Sequence, residues 1–430
     1  MKLKTLLPLI TLTDQSVFSQ NLEYYPSTMS TYFKEFDLAA KENIYLWNTN
    51  LYGPILLIDP QTRTIYANEE DIEHTLTQQE DIYTGVLPKS VNIANTAVDW
   101  GGKRWAMVML PFSENKSNRI NLLAHESFHR VQPTLGFKLN NTDNNHLDLK
   151  EGRVTLRLEL EALKQALLAK NIKDVNKHLT AALTFRSYRH SLYSNAANSE
   201  NGLELNEGIA EFTGLMVSNR SEKEGIDYIL KGIDDFFKNP TYIRSFAYHT
   251  TPVYGYLLSK RRKEWNKEIT DQTLLSDYFI KAFAVALSTD LEKAVASLKK
   301  SYNGKLIESE EEIREAQIKE VITNYKRLLI EQPHLEIVFE KMSVSFNPSN
   351  IVALEDKGTV YPTMRITDKW GVLVVEQGAL MSPNWDRISV SEPTVIEKNK
   401  ISGKGWTLEL KEPYSIEQDK TTLNYKIVRE

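Results

Sequence analysis

The sequence predicts an α+β fold, and three features of its 430 residues carry that expectation. Strand-like runs bounded by turn residues fill much of the N-terminal quarter. Helical spacing of apolar side chains then dominates to about residue 331. Beyond Pro333 the pattern changes to short β-type runs, separated by turn residues at intervals of roughly 8–12. The expected architecture is a small mixed sheet with mostly helices, followed by a small all-β domain.

From the N-terminus, Thr31 to Leu46 has helical spacing. Pro54 to Ile58 and Arg63 to Tyr66 flank an Asp-Pro-Gln-Thr turn and read as a hairpin. Ile82 to Leu87 and Trp105 to Leu110 are further strands, the second preceded by a Gly101-Gly102 turn. Ser117 to Gln132 is helical and Pro133 stops it. Asn140 to His146 is Asn- and Asp-rich and reads as a loop. The clearest later helices are Arg153 to Lys170, Lys173 to Tyr188, Leu203 to Val217, Glu222 to Phe237 and Glu308 to Glu331. Leu335 to Glu430 reads as a sandwich or barrel.

Composition narrows the function classes. Hydrophobic residues are 41% and charged residues 25%, as in ordinary globular chains. The net charge is −5 with no block of like charge, which argues against nucleic acid as the main partner. The chain has no cysteine, so any metal must be held by His and carboxylates. No run is long enough for an integral membrane segment. Lys2 and Lys4, the apolar run Thr5 to Thr13, and Val17-Phe18-Ser19 read as a signal peptide over residues 1–19. The expected localisation is then periplasmic, secreted or surface-associated. The remaining boundaries fall at 20–140 for a sheet subdomain, 141–333 for a helical subdomain and 334–430 for the β module.

One stretch carries chemistry. His125-Glu126-Ser127-Phe128-His129 matches H-E-x-x-H, and on a helix its two imidazoles share a face and can converge on one ion. Glu126 is near enough to reach a water on that ion. A catalytic zinc needs a third ligand. Arg130 to Lys138 holds no histidine, so that ligand comes from elsewhere. The best source is the helix Glu204 to Phe212, where Glu207 and Glu211 lie four apart. One can bind the metal and the other can hold a ligand histidine by its free ring nitrogen. Glu204 could exchange roles with Glu207. Gly208 would allow the two motif helices to approach closely.

These residues, with Asn206-Glu207-Gly208-Ile209-Ala210-Glu211 after the histidine pair, resemble the gluzincin zinc metallopeptidases, the clan of thermolysin and the zinc aminopeptidases. The pattern looks most like a bacterial branch of that clan. The resemblance implies a zincin-like catalytic region and one Zn²⁺ per chain on His125, His129 and Glu207. It makes Glu126 the general base and Glu211 the orienting partner of a histidine. It implies an edge strand above the zinc, which Trp105 to Leu110 would supply. It also implies a Tyr or His that stabilises the oxyanion, for which Tyr248 is favoured over His249, Tyr254 and Tyr256. The expected substrate is a peptide or protein. The aminopeptidase segment that grips a free substrate amine is absent. Two rival readings share these residues: an inactive zincin-like scaffold whose β module binds protein or glycan, and a zinc hydrolase of a non-peptide amide. Trp370, Trp385 and Trp406 are the aromatic candidates for such binding, against the commoner role of core packing. Arg157, Glu159 and Glu161 read as a solvated or ion-paired helix face, and Arg186, Arg189 and His190 as surface ion pairs with Glu200. His74, His146, His178 and His334 show no partner spacing.

Overall fold

The computed structural model describes residues 25–138, 143–348 and 350–429. The signal-peptide expectation for residues 1–19 lies outside them, as does part of the Asn140–His146 loop. The fold is α+β. Helix α1 (Pro26–Glu42) opens on a proline, whose missing N–H costs nothing at a helix start. It therefore begins earlier than the apolar spacing suggests. Met29, Phe33, Phe36 and Ala40 form its buried stripe.

Six strands come next: β1 (Ile55–Ile58), β2 (Thr64–Ala67), β3 (Thr77–Gln79), β4 (Ile82–Val86), β5 (Thr96–Trp100) and β6 (Lys103–Met109). Their order in one sheet is β3-β4-β2-β1-β6-β5. β1 runs parallel to β6, and the other neighbours are antiparallel. All four β1 residues are buried because both faces of the sheet are covered. Ile55 and Leu57 join the main apolar core, while Leu56 and Ile58 join a second cluster with Trp105. Gly101 and Gly102 both take positive φ, as a tight hairpin turn between β5 and β6 requires. This corrects the expected edge strand. The stretch containing Trp105 is β6, inside the sheet between β1 and β5. The edge on that side is Thr96–Trp100, the hairpin partner that precedes the glycine pair.

Helix α2 (Lys116–Val131) packs against β5 and β6. Asn115 caps it by accepting from the Asn118 backbone N–H at 3.0 Å. Then come α3 (Lys150–Leu168), α4 (Ile172–Leu192) and α5 (Ala196–Leu203). The single helix expected over Leu203–Val217 is broken. A π-helical turn, Glu204–Gly208, separates α5 from α6 (Ile209–Val217). α7 (Glu222–Phe236) and α8 (Ala247–Ser259) complete the layer around α2 and α6. Part of the expected loop before α3 is a 3₁₀ turn, Asn145–Asp148. One apolar core, from Met29 to Ile307, takes residues from both sides of position 140. No helix among the described residues is long and apolar enough to cross a membrane.

From His334 onward the regular structure of the described residues is β, apart from one 3₁₀ turn at Glu355–Lys357. A seven-stranded and a six-stranded sheet face each other across one apolar cluster. Leu335, Ile337 and Ile388 come from the first, and Ile366, Leu373 and Leu408 from the second. Trp370 and Trp406 are buried in this cluster, in the packing role. Trp385 is half-buried, with the Arg244 guanidinium 5.0 Å from its ring. The module grips the segment between β4 and β5. Asn92 donates to the Ser343 carbonyl at 3.0 Å, and the Ser345 hydroxyl donates to the Ile93 carbonyl at 3.2 Å. Arg365 donates to the Lys89 carbonyl at 2.8 Å and also to the Asn92 side chain.

Candidate metal centre

On α2 the helical repeat places His125 and His129 on one face, with their Nε2 atoms 3.1 Å apart. The opposing wall is the π-helical turn. Its extra residue widens the backbone and presents Glu207 toward the imidazoles. Glu207 Oε2 lies 3.2 Å from His129 Nε2 and 3.4 Å from His125 Nε2. Ligands about 2.0–2.1 Å from a tetrahedral zinc lie roughly 3.3 Å from one another. The three donor atoms therefore have the mutual spacing that such an ion needs.

The outer ring nitrogens are also held. His125 Nδ1 faces Glu211 Oε2 at 3.1 Å, and His129 Nδ1 faces Gln132 Oε1 at 2.9 Å. These contacts fix ring orientation and leave both Nε2 lone pairs to the centre. Glu211 in turn accepts from Asn121 at 3.1 Å and from the Tyr228 hydroxyl at 3.0 Å. Gln132 donates to the carbonyls of Leu205 and Asn206, so the π-helical turn and the second histidine share one amide. Tyr248 donates its hydroxyl to Glu207 Oε2 at 2.6 Å. Its ring stacks on His125, with centroids 5.4 Å apart and planes at 4°.

His125, Glu126 and His129 bring ligand atoms within 4.8 Å of one another, a grouping able to hold a metal ion. Glu126 is buried, and its Oε2 has no hydrogen-bond partner. The charge balance fits a cation. Burial alone would push both imidazoles down. The carboxylates of Glu207 and Glu211 instead raise His125 well above its ordinary value, and Glu207 raises His129. Burial would raise Glu207 too, yet the two histidines hold it well below the carboxylate range. Burial raises Glu126. Burial, then Glu207, pushes the Tyr248 phenol far up, so it stays a donor. The centre thus sets two imidazoles and their carboxylate partners around one point, where protons on the rings or a bound cation balance the charge.

No protein-family model, curated protein or solved structure matches this chain.

The structure brings His125, Glu126, His129, Glu207, Glu211 and Tyr248 together. Other expected residues lie elsewhere. Glu204 points away from the histidines, toward Arg186 and Thr250. Tyr254 donates to Glu159 at 2.9 Å. His249 packs at a tilt against Phe236 and lines a cavity of about 210 Å³ with Glu211, Tyr228 and Tyr248. A groove of about 560 Å³ beside Lys89, Arg365 and Lys411 belongs to the β module and not to this centre. Gly208 does make a close approach, but to α8. A Cβ there would lie 2.4 Å from Thr251 Oγ1. Gly214 serves the α2–α6 contact, since its Cβ would meet the Asn121 carbonyl at 2.6 Å.

Glu159, Arg186 and Arg189 are fully buried rather than solvated, and they form one ion cluster with Glu200 and Glu204. Arg157 and Glu161 do pair, with Glu311 and Lys164. His146 has a partner after all, Glu200 Oε1 at 2.8 Å. Asn121, Gln132 and Tyr228 are residues that sequence reasoning missed. Gln132 had a readable signal, three positions after His129 on the same helical face. Tyr228 had none, because only the tertiary fold brings α7 to Glu211.

Proposed function

We propose that this chain is a zinc-dependent peptidase. The observation that carries the reading is the convergence of His125 Nε2, His129 Nε2 and Glu207 Oε2, at 3.1–3.4 Å from one another, with Glu126 beside them. Two imidazoles and a carboxylate are a donor set that suits zinc, one ion per chain. Zinc bound there would supply Lewis-acid polarisation of a carbonyl and a lowered pKa for water.

The chain's own residues account for the remaining steps. Glu126 has a free carboxylate oxygen and a raised proton affinity. It would take a proton from the attacking water and pass it to the leaving amine. Tyr248, kept protonated, would donate to the oxyanion. Glu207 remains 20% exposed, which leaves the centre open to a substrate from one side. β5 has a free edge beside α2, where an extended backbone could add as a further strand.

The test is metal content by mass spectrometry together with turnover of a quenched-peptide library. We expect about one zinc per wild-type chain, strongly reduced in Glu207→Ala. We expect turnover that Glu126→Gln abolishes with zinc still bound. A wild-type chain that takes up no zinc when it is offered would overturn the reading.

A further inference from the structure

A buried ion cluster lies behind the π-helical turn and also reaches helix α8. Arg186 grips Glu204 with two hydrogen bonds, at 2.7 and 3.0 Å. Its Nε donates to Glu159 at 2.7 Å. Arg189 joins Glu159 to Glu200 at 2.8 and 2.7 Å. All five side chains are buried. Replacing such a cluster with apolar side chains is often neutral or stabilising, so its presence calls for a role beyond stability.

Its connections give that role. Glu204 begins the π-helical turn that carries Glu207. The same Glu204 carboxylate accepts the Thr250 hydroxyl at 2.6 Å. Thr250 lies two residues after Tyr248, whose hydroxyl holds Glu207. Glu159 accepts the Tyr254 hydroxyl from that helix as well. Helix α8 and the π-helical turn are therefore pinned to one pair of carboxylates, with Arg186 between them.

We infer that Glu204, held by Arg186 and bonded to Thr250, is a positioning residue that sets the turn carrying Glu207 against the helix of Tyr248, whose hydroxyl holds Glu207 and whose ring stacks on His125. This deepens the zinc reading and rests on it. Glu204 touches no ligand of the centre directly. It acts by fixing two backbones. The hydroxyl of Thr250 is the hinge pin, because it ties the helix that carries Tyr248 to the turn that carries Glu207.

Arg186→Met leaves the buried Glu204 carboxylate without its cation and puts the fold itself at risk, so Thr250→Val carries the test. Thr250→Ser restores the hydroxyl, and Ser259→Ala removes an unrelated hydrogen bond on α8, to Trp265. The readouts are zinc Kd by chelator competition, the visible absorption of the Co²⁺-substituted protein, and the melting temperature of the apoprotein. We expect Thr250→Val to weaken zinc about tenfold and to alter the Co²⁺ spectrum. Thr250→Ser should bind as the wild type does. Ser259→Ala should melt lower with zinc Kd unchanged. A Thr250→Val protein that melts lower yet keeps the wild-type Kd and spectrum would overturn the inference alone. A wild type that binds no zinc would overturn the site reading and this inference with it.

Discussion

Gln132 is bonded on both sides. Its carbonyl oxygen faces His129 Nδ1, and its amide holds two carbonyls of the π-helical turn. Gln132→Ala would free the ring and loosen the turn together. The expected result is a zinc affinity lower by about 10–100-fold, read by chelator competition. Tyr248→Phe makes a different prediction. The phenol is not a donor to the ion, so about one zinc per chain should still bind, with affinity lowered by the lost bond to Glu207, while kcat falls by roughly 10²–10³. At this scale the sequence was informative where one helix supplied both partners. His125 with His129 and Glu207 with Glu211 follow from a four-residue repeat. Tyr228 and Asn121 were not readable, because their contacts to Glu211 depend on how α2 and α7 lie against α6.

The π-helical turn sets the next scale. A glycine inside a helix normally costs about 1 kcal/mol relative to alanine. Gly225 follows that rule. A Cβ there would meet only Tyr256, at 4.0 Å, so Gly225→Ala should raise the melting temperature. Gly208 reverses the sign. Its Cβ would lie 2.4 and 2.6 Å from the branched Thr251, and 3.0 Å from the Ala247 carbonyl. Gly208→Ala should cost about 1–3 kcal/mol by overpacking, read by urea unfolding. The apolar run Leu203, Leu205, Ile209, Ala210, Phe212 concealed this turn. One inserted residue rotates the rest of the helix by only about 100°, and a wide apolar stripe absorbs that rotation. The edge strand was missed for a related reason. Thr96–Trp100 is half-exposed and weakly patterned, so the strong strand after the glycine pair drew the assignment that belonged to its partner.

For the whole molecule, Glu200 in the ion cluster gives a defined response to acid. Burial alone would raise the Glu200 carboxyl, but Arg189, His146 and His190 hold it well below its ordinary value of 4.5. The folded chain therefore keeps Glu200 ionised where the unfolded chain takes up a proton. Its contribution is complete above about pH 4.5 and is lost as the pH falls toward the depressed value. Glu200→Gln should cost about 3–5 kcal/mol at pH 7, because it removes one of the two carboxylates that balance buried Arg189. In urea titrations the gap to wild type should shrink as the pH drops below 4.5, and a constant gap would contradict this assignment. The sequence paired Arg189 and His190 with Glu200, as the structure does, but placed those pairs at the surface. Glu159 read as part of a solvated helix face, and only packing shows that it meets Arg186 and Arg189 in the interior.

The grip of the β module on residues 89–93 has a consequence for how the chain can be divided. The change of texture after Pro333 invites truncation there. Such a cut would remove Ser343, Ser345 and Arg365, which anchor the lead-in to β5. It would also uncover Ile243, which lies in the module's apolar cluster. A strand edge serves as a template only while it is held straight, since ordering it at the moment of binding costs roughly 1–2 kcal/mol per residue. The module acts as a splint for that edge. A chain ending at residue 333 should keep zinc, yet lose amide-exchange protection along residues 92–100 and bind extended peptides more weakly.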